Sequence, residues 1–132
     1  MKNNPKSGYS GTPLLKKLGY KPGDSVLALY APDWFVNELK NGGVVLATAL
    51  PATWAHGFFY SRNVVEHFLA SVPLEDIDKG LWVSWPKKAS HVATDLTEQT
   101  FRDLILPLGW VDIKVAAIDD TWSGLKFTRR KA

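Results

Sequence analysis

LWVSWPKKASHVATDLTEQT, from Leu81 to Thr100, decides the fold. Leu81–Trp85 is a short, continuous apolar run stopped by Pro86. That pattern suits a strand buried on both faces, as in a parallel sheet. Trp82 and Trp85 must point to opposite faces of such a strand. A polar loop follows, and Asp95 with Glu98 three residues on reads as a capping box opening a helix. Leu96, Phe101, Leu104 and Ile105 give that helix its buried side, and Pro107 and Gly109 end it.

The same alternation of strand and helix extends outward. Thr12-Pro13 opens a short helix to Leu18, with Gly19 at its C-terminus. SVLALYAP (25–32) is a first buried strand, and DWFVNELKNGG supplies a helix from Asp33 stopped by Asn41-Gly42-Gly43. VVLATAL (44–50) and HGFFYS (56–61) are further strand-like runs. NVVEHFLASV forms a helix, with Ser61 or Asn63 as its cap and Val64, Val65, Phe68, Leu69 and Val72 on one face. PLEDIDKG is an acidic turn. WVDIKVAAI (110–118) and Trp122–Arg129 alternate about the turn Asp119-Asp120-Thr121, as in an antiparallel hairpin.

These elements predict an α/β three-layer sandwich with a mostly parallel, doubly wound sheet and a C-terminal antiparallel hairpin. Its length of 132 residues suits a single domain, 13–132, preceded by a polar, flexible arm, 1–12. Hydrophobic content of 45% and charged content of 22% are those of an ordinary globular chain.

There is no cysteine, which excludes disulfides, thiolate nucleophiles and Cys-based metal centres. The opening MKNNPKSGYSGTP has no apolar core of a signal peptide. No run approaches the roughly 20 apolar residues of a membrane span. A cytoplasmic location without membrane contact is the expectation. The net charge of +3 is uneven. Residues 1–24 hold five Lys against one Asp, residues 25–125 hold seven Lys/Arg against twelve Asp/Glu, and residues 126–132 add four cations. A basic head and tail around an acidic middle serve solubility or meet an anionic partner.

Ligands of open α/β sheets collect beyond the carboxyl ends of strands, where Trp85-Pro86-Lys87-Lys88-Ala89-Ser90 falls. Lys87, Lys88, Ser90 and Thr94 would give an anion its donors, with the next helix N-terminus behind them. The loop lacks the GxxxxGK[ST] pattern of a P-loop, so a plain capped turn is the competing reading. Trp122, Ser123 and Lys126 form a second candidate surface, with Gly124 permitting a close backbone approach or a bulge. The competing reading there is aromatic packing on the sheet. Asp119 and Asp120 read as turn residues. His56, His67 and His91 show no metal-ligand spacing, and no serine lies in GxSxG. No catalytic residue, metal or cofactor is expected. Six tryptophans in a chain this size predict an exposed apolar patch and a homodimer or partner interface.

Two resemblances add to this. YSGTPLLKKLGYKPG, LWVSWPKKAS, TDLTE, LPLGWVDIKVAAID and WSGLKFTRR resemble an uncharacterised bacterial family, a domain of unknown function, which implies no activity. KKLGYKPGDSVLALYAP, KGLWVSWPK and the closing hairpin resemble a shortened S-adenosylmethionine-dependent methyltransferase. That resemblance implies a glycine-rich turn after the first strand and an acidic residue ending the second. Here those places hold Tyr30-Ala31-Pro32-Asp33-Trp34 and Leu50-Pro51. The leading expectation is therefore a non-catalytic binding or regulatory module that recognises an anionic group, a small molecule or a protein partner, at the Lys87–Thr94 loop. Alternatives are a small enzyme or cofactor binder on a methyltransferase-like sheet, and a nucleic-acid-binding protein using its basic termini.

Overall fold

A computed structural model describes residues 12–131. The arm expected at 1–12 lies outside them except for Thr12, which opens the first helix. The chain runs α1 (Thr12–Leu18), β1 (Ser25–Leu29), α2 (Asp33–Asn41), β2 (Val45–Leu46), β3 (Ala52–Phe58), α3 (Arg62–Ser71), β4 (Ile77–Pro86), α4 (Glu98–Ile105), β5 (Trp110–Ala117) and β6 (Trp122–Arg129). Short 3-10 turns precede β4 at Leu74–Asp76, follow it at Lys88–Ser90 and join α4 to β5 at Leu106–Leu108. Among the described residues, no helix is long and apolar enough to cross a membrane.

One six-stranded sheet has the order β2-β1-β3-β4-β6-β5. β2, β1, β3 and β4 are parallel, and β6 and β5 complete it antiparallel. The expected doubly wound sheet with an antiparallel hairpin is what forms. Leu81–Trp85 is interior, parallel to β3 on one side and antiparallel to β6 on the other. Its alternation divides two cores. Leu81, Val83 and Trp85 pack with Val65, Phe68, Phe101 and Ile105 under α3 and α4. Trp82 packs with Val26, Trp54, Phe58 and Trp122 under Leu15, Leu18, Phe35 and Leu39 of α1 and α2.

Several boundaries differ from expectation. β2 is two residues long rather than spanning 44–50. It lies at the sheet edge, and residues 47–51 carry the chain back across β1 to start β3. A parallel connection normally takes a dozen or more residues, so a return this short leaves no length for a longer strand. β3 begins at Ala52, ahead of the expected His56. The acidic turn becomes a 3-10 turn with β4 already under way at Ile77. Val64 is exposed on α3, and Val65 and Phe68 are its buried residues.

The expected patch of exposed tryptophan is corrected by the two cores. Trp54, Trp82, Trp85, Trp110 and Trp122 are buried, and Trp34 is half-buried against Phe35. A sheet covered on both faces has two apolar layers to fill, and these rings fill them. Gly124 does serve a close approach: a Cβ there would stand 2.9 Å from Ile118 Cδ1 and 3.2 Å from the Trp82 ring.

Candidate functional site

The strand order reverses between β1 and β3. β1 connects outward through α2 to β2, while β3 connects the other way through α3 to β4. In open α/β sheets this switch point leaves a crevice beyond the carboxyl ends of the two strands. Tyr30 stands there, directly after β1, in the left-handed region with φ 58°. A non-glycine residue in this conformation costs roughly 1–2 kcal/mol. Its side chain is 61% exposed, with the ring centroid 6.0 Å from that of the buried Phe59. Tyr60, after β3, is 52% exposed and meets Trp122 at 5.2 Å. Two exposed tyrosines thus follow the two strands at the switch point, each packed against a buried aromatic ring.

Sequence reasoning named Tyr30 only as part of a turn without glycine and Tyr60 only within a strand-like run, and took neither as a site residue. Their signal is the strand order, which a list of elements does not contain.

The Lys87–Thr94 loop lies one strand further along. Lys87 N donates to Thr121 O at 2.7 Å, tying the loop to the hairpin turn. Lys87 is half-buried and Lys88 exposed, and neither forms an ion pair among the described residues. Ser90 Oγ donates to Lys87 O at 2.6 Å and accepts from Val92 N at 3.2 Å. Thr94 Oγ1 donates to Tyr60 O at 2.6 Å and accepts from Leu96 N at 3.1 Å. A hydroxyl has one proton to give, so both have spent theirs on the backbone. Of the four expected anion donors, the two lysines retain free N–H groups.

Asp95 is not the cap of the helix that follows it. Thr97 caps α4, in a reciprocal box with Thr100. Asp95 Oδ1 accepts from Arg62 N at 2.8 Å instead. α3 has no acidic residue in its first turn and no side-chain bond from its own cap, Ser61. The carboxylate therefore reaches across from the loop to satisfy the positive end of α3. With Thr94 on Tyr60 O, it straps the loop onto the carboxyl end of β3.

The hairpin residues divide. Trp122 and Ser123 pair with Pro86 and Trp85 beside the loop, and Asp119 Oδ1 holds their turn by accepting from Thr121 N and Trp122 N, both at 2.8 Å. Lys126 pairs with Trp82, four residues before the end of β4. At roughly 3.3 Å per residue that is about 13 Å from the edge, so Lys126 does not join the loop lysines.

One polar cluster went unread in the sequence. His56 is fully buried on β3. The Tyr20 hydroxyl is 3.0 Å from its Nδ1, and Ser84 Oγ is 2.8 Å from its Nε2. A neutral imidazole carries one donor and one acceptor, so one hydroxyl donates to the ring and the other accepts from it. Burial lowers the His56 pKa to about 3, and burial raises that of the Tyr20 hydroxyl. Tyr20, His56 and Ser84 are all shut from solvent. The serine–histidine–tyrosine chain thus satisfies its polar atoms inside the core. Among the described residues there is also no cluster of His, Asp and Glu able to hold a metal.

A cavity of about 280 Å³ opens on the opposite rim, between Leu69, Val72, Leu74, Leu108, Trp110 and Arg129. There the Arg129 guanidinium lies 5.0 Å from the Trp110 ring centroid. It donates to the carbonyls of Leu74, Glu75 and Ile77, which makes it a clamp on the turn before β4.

No family model and no curated protein matches this chain. The resemblance of WPKKAS, TDLTE and WSGLK to an uncharacterised family thus gains no support there. Solved structures match by fold. A magnesium protoporphyrin IX methyltransferase from Synechocystis PCC 6803 with bound SAM aligns at a TM-score of 0.54 and 10% identity, over 94% of this chain and 78% of that one. The structure of a DhpI–SAH complex aligns at 0.52 and 10%, over 97% and 88%. The architecture is a truncated methyltransferase-like, Rossmann-like α/β fold.

Proposed function

We propose that the chain is a non-catalytic recognition module that uses the carboxyl edge of a methyltransferase-like sheet as a binding surface. The observation that carries this reading is Tyr30. A strained, exposed aromatic residue occupies the turn where a nucleotide-binding sheet of this kind needs glycine for its backbone to approach a cofactor. Local strain of this sort is retained where a site uses it. Beside it, Tyr60 offers a second ring, and Lys87 and Lys88 offer cationic donors for an anionic group.

The fold itself favours a second reading, a small cofactor-binding enzyme, because two structures of this architecture hold SAM or SAH. Calorimetric titration separates the two. Phosphate or a mononucleotide is expected to bind, and Lys87→Gln with Lys88→Gln is expected to weaken it about tenfold, the usual loss for a charge-assisted contact. S-adenosylmethionine is expected to give no heat. Saturable binding of S-adenosylmethionine would favour the second reading.

A further inference from the structure

Glu38 is the one acid that the fold encloses among the described residues, with only 8% of it exposed. Its carboxylate forms no ion pair with those residues and accepts no hydrogen bond from them. A helix offers side-chain partners three and four positions away. Here those places hold Trp34, Phe35, Asn41 and Gly42, none of which carries a charge. Lys40, two residues on, is exposed and projects from another side of α2. An enclosed carboxylate without a partner is costly, and burial raises its pKa above the ordinary value.

The same face carries an apolar group. Trp34 stands one turn before Glu38 and is the tryptophan that the two cores leave half-buried. α1 packs beside this face: a Cβ on Gly42 would overlap Leu15 Cδ1 and stand 3.5 Å from Glu38 O. Thr12 is three residues before Leu15, about 4.5 Å along the helix, so the chain enters α1 close to α2. Residues 1–11 precede it and hold Lys2 and Lys6 with no Asp or Glu. The six residues from Lys6 to Thr12 span up to about 20 Å when extended. Trp34 and Glu38 are about 6 Å apart along α2. A lysine of this segment therefore has the length to reach Glu38 without moving α1.

We propose that residues 1–11 dock on the Trp34–Glu38 face of α2, with the ammonium of Lys2 or Lys6 paired to the Glu38 carboxylate. Charge selects this occupant. The basic head brings lysines and no acid of its own to compete for them, and Glu38 is an acid without a partner among the described residues. The apolar stem of a lysine lies along a ring such as Trp34 while its ammonium meets the carboxylate. α2 begins at Asp33, three residues after Tyr30, so the docked segment braces the helix that leaves the switch point.

The chain has no cysteine, so Asn4→Cys gives the full chain a unique place for a nitroxide spin label. Paramagnetic broadening of amide signals then reports what the label approaches. The Trp34 indole N–H and the amides of residues 34–41 are expected to broaden. Glu38→Gln, or Lys2→Gln with Lys6→Gln, is expected to lower the ratio of docked to free segment about tenfold, the usual loss for a charge-assisted contact, and the broadening fades with it. The lysine pair alters no described residue, so that comparison stands even if Glu38→Gln fails to fold. Broadening of α2 that neither change relieves is mere nearness along the tether and overturns the proposal. So does broadening confined to another face, or none beyond α1. Broadening that appears only when labelled chain is mixed with unlabelled, isotope-enriched chain gives the face to a second copy and also overturns it. Phosphate binding at Lys87 and Lys88 is independent of each of these results.

Discussion

His56 is enclosed by aromatic rings. Phe58 stacks on it at 4.5 Å, Phe35 meets it edge-on at 4.8 Å and Trp82 lies at 6.1 Å. Burial in this shell disfavours the charged ring, and its pKa falls to about 3. The unfolded chain titrates this ring near 6.5. The unfolded state therefore binds a proton that the folded state refuses, and stability is lost as pH falls from 6.5 towards 3. At pH 5 the deficit is about 2 kcal/mol relative to pH 8. Urea unfolding at a series of pH values should show this slope in the native chain and a flatter profile in His56→Gln. Parallel profiles would contradict it. The burial of His56 was not read, because the expected strand began at His56 and left Trp54, its neighbour on the same face, outside. Its partners were not read either: Tyr20 and Ser84 are 36 and 28 residues away, and their approach depends on the strand order.

Helices and strands were legible where local chemistry decides them. Pro32 marks the junction of β1 and α2, Gly42 ends α2, and the Asp119 turn closes the hairpin, because each acts on its own neighbours. Expectation failed where a distant element intervened. Asp95-Leu96-Thr97-Glu98 contains two good caps, and the spacing to Glu98 favours Asp95. The packing of the loop against α3 draws that carboxylate to Arg62 N and leaves Thr97 to cap α4. Replacing Asp95 by Ala should therefore cost about 1 kcal/mol, a typical N-cap loss. The expected signature is faster amide exchange in the first turn of α3, with α4 unchanged. Increased exchange at Glu98–Phe101 instead would return Asp95 to its sequence-based role.

At the scale of the whole molecule, the methyltransferase-like sheet is shortened at one edge. β2 keeps two residues, and residues 47–51 replace any further strand and helix on that side. β2 ends at Leu46 and is followed by Ala47, so Leu50-Pro51, which the longer expected strand placed at its end, lies instead in the connection to β3. β5, the other edge strand, exposes Ile113 and Val115. It is interrupted by a register shift between Asp112 and Lys114, a device that blunts edge-to-edge pairing. Fold class followed from the order of apolar runs, but the place of the candidate site followed from which strands adjoin. Sequence reasoning chose the end of β4, which holds Lys87 and Lys88. The strand order reverses between the parallel strands β1 and β3, which places Tyr30 and Tyr60 at the switch point.

The central claim is that this switch point recognises an anionic ligand without housing S-adenosylmethionine. Mapping amide chemical shifts of the labelled chain during titration tests it most directly. The account predicts that phosphate or a mononucleotide shifts the amides of Tyr30, Tyr60, Lys87 and Lys88, and that S-adenosylmethionine leaves them in place. Saturable shifts at Tyr30–Asp33 with S-adenosylmethionine, or no response of this edge to any anion, would contradict it.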